Sequence, residues 1–119
     1  MTTNPHGLTQ LRDALREFAA ERDWDQFHSP KNLASALAVE AAELLERFQW
    51  LTEDASRQLP PDELEKVRDE MADVLNYLVR LADKLDVNLM DAARDKMRKN
   101  ALKYPADKAR GSARKYSDL

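Results

Sequence analysis

The sequence predicts an all-α fold, and three observations carry that expectation. No glycine falls between Gly7 and Gly111. The five prolines, at positions 5, 30, 60, 61 and 105, punctuate the chain without entering its long segments. Between them, apolar residues recur at the three- and four-residue intervals that place them on one face of a helix.

Each helix has its own signals. The first, Leu8 to about Asp23, carries Leu8, Leu11, Leu15, Phe18 and Ala19 at helical intervals, with Thr9 as its expected N-cap. The second opens on Ser29, whose hydroxyl can accept from free N–H groups while Pro30 takes the first helical position. It runs to about Leu51 on the stripe Leu33, Leu37, Leu44, Phe48 and Leu51. A polar link, Thr52 to Gln58, leads to Pro60-Pro61-Asp62, which opens the third helix, with Asp62 and Glu65 resembling an acidic capping arrangement. Its stripe, Leu64, Val67, Met71, Val74, Leu75, Leu78, Leu81 and Leu85, suits a helix packed in a bundle. Asn88 caps a fourth helix, Leu89 to about Lys103, which stops before Pro105. Residues 106–119 read as a basic tail, mobile or folded over a partner surface, and the whole of 1–119 as one four-helix domain.

Composition narrows the function. The chain has 119 residues, 43% of them hydrophobic and 34% charged, enough for one core that gains further burial by oligomerising. The absence of cysteine removes disulfides, thiolate metal sites and cysteine nucleophiles together. A formal charge of -3 argues against a surface that tracks a nucleic acid polymer. No apolar run approaches the roughly 20 residues of a membrane span. Met1 to Leu11 lacks the basic start and apolar stretch of a signal peptide. The expectation is a soluble cytoplasmic protein.

Acid pairs three apart occur five times, at Glu40/Glu43, Glu43/Glu46, Asp62/Glu65, Glu70/Asp73 and Asp83/Asp86. Spacing alone therefore decides nothing, but context does. Asp62/Glu65 suits a helix start and Asp83/Asp86 lies near a helix end. Glu40 with Glu43 and Glu70 with Asp73 instead sit in the middle of strongly apolar helices, each pair roughly 60° apart on the edge of the apolar arc. Two antiparallel neighbours would bring four carboxylates to one seam. Glu43 has Arg47 and Glu70 has Lys66 as helical partners, whereas Glu40 and Asp73 have no base three or four positions away. Desolvated carboxylates raise one another's pKa unless a cation compensates them, and a hard divalent ion with oxygen ligands, Mg²⁺ or Mn²⁺, is the economical compensator. The alternative is a solvated charged face. A di-iron bundle lacks its Glu-x-x-His motif here, because the only histidines are His6 and His28. Oxygen-only ligation favours phosphate chemistry.

The aromatic residues follow. Trp50 lies seven after Glu43, hence on nearly the same face if the helix continues, and Tyr77 lies four after Asp73. Trp24 and His28 fall in the turn before the carboxylate helix. These rings either stack on a nucleobase or anchor a core or interface. Lys96, Asn100, Lys103 and Tyr104 share a face of the fourth helix, available to triphosphate oxygens or simply solvated. His28 is either a capping-region histidine or a substrate contact, and His6 carries no signal.

Glu40-x-x-Glu43 followed by Glu70-x-x-Asp73 resembles the metal motif of the MazG-like all-α nucleotide pyrophosphohydrolases. Further segments resemble their dCTP pyrophosphatase branch: Phe18 to His28, Glu46 to Trp50, Asp73 to Val79, Lys96 to Asn100 with Tyr104-Pro105, and Arg110 to Leu119. The likeness covers nearly the whole chain. It implies a four-helix, Mg²⁺-dependent enzyme that hydrolyses a deoxynucleoside triphosphate to monophosphate and pyrophosphate as a homo-oligomeric dimer of dimers. By the same resemblance Glu40, Glu43, Glu70 and Asp73 hold the metal and form the catalytic set. Trp24, His28, Trp50 and Tyr77 line a cytosine-type pocket, Lys96 and Asn100 contact phosphate or sugar, and Lys115-Tyr116 closes the site from a neighbouring chain. Three departures bear on base preference: Leu15 where animal members carry a histidine, Ala41-Ala42 in place of a glycine-containing link, and Lys103 where arginine is frequent. The rival class is a non-catalytic helical interaction module using the same stripes for assembly.

Overall fold

The computed structural model describes residues 5–119, so the first four residues of Met1–Leu11 and of the expected domain 1–119 lie outside the described residues. All regular structure among the described residues is helical, as the breaker spacing predicts. Four long helices stand at α1 (Gly7–Glu21), α2 (Pro30–Glu46), α4 (Pro61–Lys84) and α5 (Leu89–Lys103). Short single turns, α3 (Glu53–Ser56) and α6 (Ala106–Ala109), and two 3-10 turns, Asp25–Phe27 and Tyr116–Asp118, fill the connections.

The ends of these helices explain where the aromatic and acidic side chains go. Thr9 is not the cap of α1. The N-cap is His6, whose own backbone N–H is satisfied by Gln10 Oε1 at 2.8 Å, so Thr9 lies inside the first turn. At the other end Asp23 takes a left-handed conformation (φ 54°) and its N–H bonds the Ala20 carbonyl at 3.1 Å. The Trp24 N–H reaches back to the Ala19 carbonyl at 2.9 Å, the paired bonds of a Schellman ending. Asp86 ends α4 in the same way, with Val87 N–H on the Ala82 carbonyl at 2.8 Å. Aspartate tolerates the left-handed region better than most residues, so neither turn needs glycine.

Ser29 caps α2 as expected, its Oγ accepting from the Asn32 N–H at 3.1 Å with Pro30 behind it. The helix stops at Glu46 instead of running to Leu51. Arg47, Phe48 and Leu51 bond three residues back, at 3.2, 2.9 and 2.9 Å, which tightens the chain into a turn and ends the α-helical register. Thr52 then caps α3 by accepting from the Ala55 N–H at 3.1 Å, where the sequence suggests only a polar link. Asp62 and Glu65 form no cap. Pro60 occupies the N-cap of α4, so Asp62 and Glu63 act only as negative charge in the first turn. Asn88 caps α5 through Oδ1, accepting from the Asp91 N–H at 3.0 Å, and that helix has the expected bounds.

The described residues fall into two compact units, one ending at Val87 and one from Asn88 to Leu119. In the first, α2 packs most extensively against α4, and α1 also packs on α4. His28 meets Arg80 at the start of α2 while Glu40 and Glu43 meet Glu70 further along, so α2 and α4 run antiparallel. Ala19, Leu33, Val67, Val79 and Ala82 are buried between them. The α4 stripe is only partly covered, since Leu64, Met71, Leu75, Leu78 and Leu85 stay exposed. In the second unit, Tyr116 of the tail packs edge-on against Tyr104 at 6.1 Å, with Lys103 Nζ 5.0 Å from the Tyr116 ring centre.

Ser29→Ala should cost about 1 kcal/mol of stability through loss of the cap. Thr9→Ala should cost nothing measurable, and thermal or urea unfolding of the two variants side by side checks both assignments.

Candidate active site

The pairing of α2 with α4 decides what happens to the acids. Glu40 and Glu43 are one turn apart on α2, and Glu70 faces them from α4, so that one carboxylate oxygen of each lies within 4.8 Å of the other two. Apolar neighbours on both helices exclude water from part of this seam. Glu40 Oε2 and Glu70 Oε2 are buried with no hydrogen-bond partner. An unpartnered buried carboxylate oxygen costs heavily, which makes the pair informative.

Electrostatics follow from the geometry. Burial, then the hydrogen bond and charge of Glu43, then the charges of Asp73 and Glu70, push the Glu40 carboxyl up to about 7. Burial and the charge of Glu43 also raise Glu70, while Arg47 pulls it back in part. Asp73, one turn beyond Glu70 and exposed, adds its field to both. A set made only of carboxylate oxygens, two of them lacking any partner, fits a hard divalent cation: the ion would satisfy the free oxygens and reverse the mutual repulsion.

Asp73 also borders a cavity of about 290 Å³ lined by Leu15, Phe18 and Ala19 of α1, Trp24 and His28 of the following turn, and Asn76, Tyr77 and Arg80 of α4. The Schellman ending of α1 sets Trp24 against Phe18, edge-on at 5.8 Å. The Arg22 guanidinium covers the Phe18 ring at 3.6 Å. His28 is half-buried, with Nδ1 3.3 Å from Arg80 Nε and 3.1 Å from Arg80 Nη2. An apolar cavity with aromatic walls and a few polar side chains, bordered by one acid of an acidic seam, can hold a ring at one end and an anion-binding metal at the other.

Residues 36–119 match the family model described as the MazG-like family. The chain belongs to the MazG-like family. It is 48% identical to dCTP pyrophosphatase 1 of Mus musculus over 114 residues, covering 94% of this chain and 67% of that protein. The Homo sapiens protein of the same name is 47% identical with the same coverage. A crystal structure of a pyrophosphatase from Archaeoglobus fulgidus superposes with a TM-score of 0.79 at 42% identity, over 88% of this chain and 98% of that one. This MazG-like chain is accordingly an enzyme of the pyrophosphohydrolase class.

Of the residues singled out in sequence, Glu40, Glu43 and Glu70 meet in the seam. Asp73, Tyr77, Trp24 and His28 meet around the cavity. Trp50 does not join them. Because α2 ends at Glu46, the seven-residue spacing from Glu43 no longer describes a shared helical face, and Trp50 stands 88% exposed in the turn beyond. Lys96 and Asn100 lie exposed on α5, in the second unit. Tyr104 is the C-cap of that helix rather than part of its face. Sequence reading missed Asn76 and Arg80. Their signal was present: 73, 76, 77 and 80 are spaced by three, four and seven from Asp73, the pattern of one helical face.

The raised Glu40 fixes a pH dependence for the metal-free MazG-like protein. The folded state holds its proton more tightly than the unfolded one, so the associated stability is fully present below the ordinary value of 4.5 and is lost as pH rises through about 7. Melting temperature should fall across that window, with Glu70 acting in the same direction. Glu40→Gln should flatten the profile, and millimolar Mg²⁺ should raise the melting temperature most at pH 8.

Proposed function

We propose that this chain hydrolyses a deoxynucleoside triphosphate, dCTP or a modified dCTP, to the monophosphate and pyrophosphate, with Mg²⁺ or Mn²⁺ held by Glu40, Glu43, Glu70 and Asp73. The observation that carries this reading is the pair of buried, unpartnered oxygens on Glu40 and Glu70, in a seam of three glutamates one helical turn from Asp73, which borders an aromatic cavity. The dCTP pyrophosphatase relatives, at 48% and 47% identity, support the choice of base. When bound, a divalent cation there neutralises phosphoryl oxygens and makes a water molecule more acidic.

The chain's own residues do the rest. The carboxylates of the seam orient the attacking water in line with the α-phosphorus as pyrophosphate leaves. Phe18, Trp24 and Tyr77 enclose the base and keep bulk water from it, and His28 offers a polar contact at the cavity wall. Trp50, outside this cavity and exposed, offers a further aromatic face to a base, and Lys96 and Asn100, four apart on α5, offer donors to phosphate or sugar oxygens.

The enzyme works as a homo-oligomer, a dimer of dimers, in the cytoplasm where nucleotides are made and used. Leu64, Met71, Leu75, Leu78 and Leu85 along α4 and Leu45 on α2 leave apolar surface that a second copy would cover. No helix among the described residues is long and apolar enough to cross a membrane. The family match runs from 36 to 119, across both compact units, which supports treating 1–119 as one functional domain with 106–119 as its tail.

Pyrophosphate release from a panel of nucleoside triphosphates tests the reading, with a cytosine nucleotide expected to be turned over fastest and only with a divalent cation present. Glu43→Ala and Asp73→Ala should each reduce turnover to background while circular dichroism still reports a helical protein. Near-wild-type rates in either variant would remove that residue from the mechanism, and no turnover of any nucleotide would favour a non-catalytic helical module.

A further inference from the structure

Arg80 is a buried cation, 5% exposed, that lines the cavity. Each nitrogen of its guanidinium has a polar partner. Nη2 donates to Asp25 Oδ1 at 2.9 Å, Nη1 lies 3.5 Å from Asp83 Oδ2, and Nε and Nη2 both approach His28 Nδ1. A guanidinium has donors and no acceptor. His28 Nδ1 must therefore present its lone pair to Arg80, and the ring proton belongs on Nε2. Nε2 has no hydrogen-bond partner among the described residues, while His28 itself lines the cavity.

We propose that Arg80 is a positioning residue for base recognition: it holds His28 neutral, with its proton on Nε2, as a fixed hydrogen-bond donor to an acceptor on the edge of the base. This rests on the nucleotide reading given above. The charged groups around His28 agree with it. Burial first, and then the Arg80 charge, lower the His28 pKa, with Lys84 acting in the same direction and Asp25 opposing. Asp83 faces Arg80 from the same helix, and Arg16 of α1 in turn holds Asp83 with bonds of 2.7 and 2.5 Å. A donor with one fixed direction discriminates between base edges, whereas a neutral imidazole free to exchange tautomers would present either a donor or an acceptor at Nε2.

The chain has two histidines, so His6→Gln leaves His28 as the only imidazole for ¹⁵N NMR of the full-length protein. At pH 7 the expected result is an unprotonated Nδ1 and a protonated Nε2. Arg80→Gln should mix the tautomers and raise the His28 pKa. The variant retains partners for both acids, because Arg16 still holds Asp83 and Lys84 holds Asp25 at 2.5 Å. In turnover, Arg80→Gln should raise KM for the best nucleotide of the panel about tenfold, the size of one lost hydrogen bond. Its kcat should stay within about twofold, and inhibition by tripolyphosphate, which has no base, should not change.

A wild-type His28 that carries its proton on Nδ1, or is charged at pH 7, overturns the inference whatever the activity, and that measurement needs no substitution at Arg80. An Arg80→Gln variant that weakens tripolyphosphate and nucleotide alike also overturns it, since a general loosening of the fold would do that. Nε2-protonated His28 in a protein that cleaves no nucleoside triphosphate overturns the nucleotide reading itself, and the base-recognition role with it.

Discussion

The placement of three glutamates side by side between α2 and α4 is the constraint on which the site depends. Glu40 and Glu70 each bury an oxygen with nothing to bond it, while Glu43 completes the set within 4.8 Å. Interiors normally satisfy such atoms, and the repulsion among three acids adds to the cost of leaving them bare. A helix pair selected for stability alone would put leucine at these positions. That the chain keeps acids here, two of them with a buried and unpartnered oxygen, ties the architecture to the chemistry of a hard cation.

A second polar layer lies further along α4. Asp83 takes two bonds from Arg16 of α1 and faces Arg80 of its own helix. Arg80 reaches Asp25 and His28 in the turn that follows α1. The network therefore joins α1, the turn carrying Trp24 and α4 at the floor of the cavity. Buried charge is expensive, but here every member is paired, so the layer specifies one arrangement of these elements. Among the described residues the fully buried apolar side chains are Ala19, Leu33, Val67, Val79 and Ala82.

Much of this was legible in the sequence, and the failures have physical reasons. The helix starts at Ser29 and Asn88 were readable because a side-chain oxygen followed by helix formers is a local signal. The acids at 40, 43, 70 and 73 stood out because apolar context, not spacing, separated them from three similar pairs, and of the four the first three meet within 4.8 Å. Thr9 misled because a backbone N–H at His6, bonded by Gln10, starts α1 without any side-chain cap. The early end of α2 had no breaker to announce it: residues 47–51 contain neither glycine nor proline. The expectation that Trp50 shares a helical face with Glu43 failed for that reason. Arg80 was overlooked because an arginine between Val79 and Leu81 reads as an interruption of an apolar stripe, although its distance from Asp73 puts it on the cavity face.

One consequence comes from α4 being a single uninterrupted rod from Pro61 to Lys84. Glu70 at the acidic seam and Arg80 at the cavity floor sit on it ten residues apart, about 15 Å along the axis. The helix thus serves as a ruler between the two ends of whatever molecule spans them, and its register cannot slip, because losing one residue in between would turn one end by about 100° against the other. Diversification toward other ring systems therefore has to come from the opposite wall, at Leu15, Phe18 and Trp24, where a side chain can change without altering the gauge.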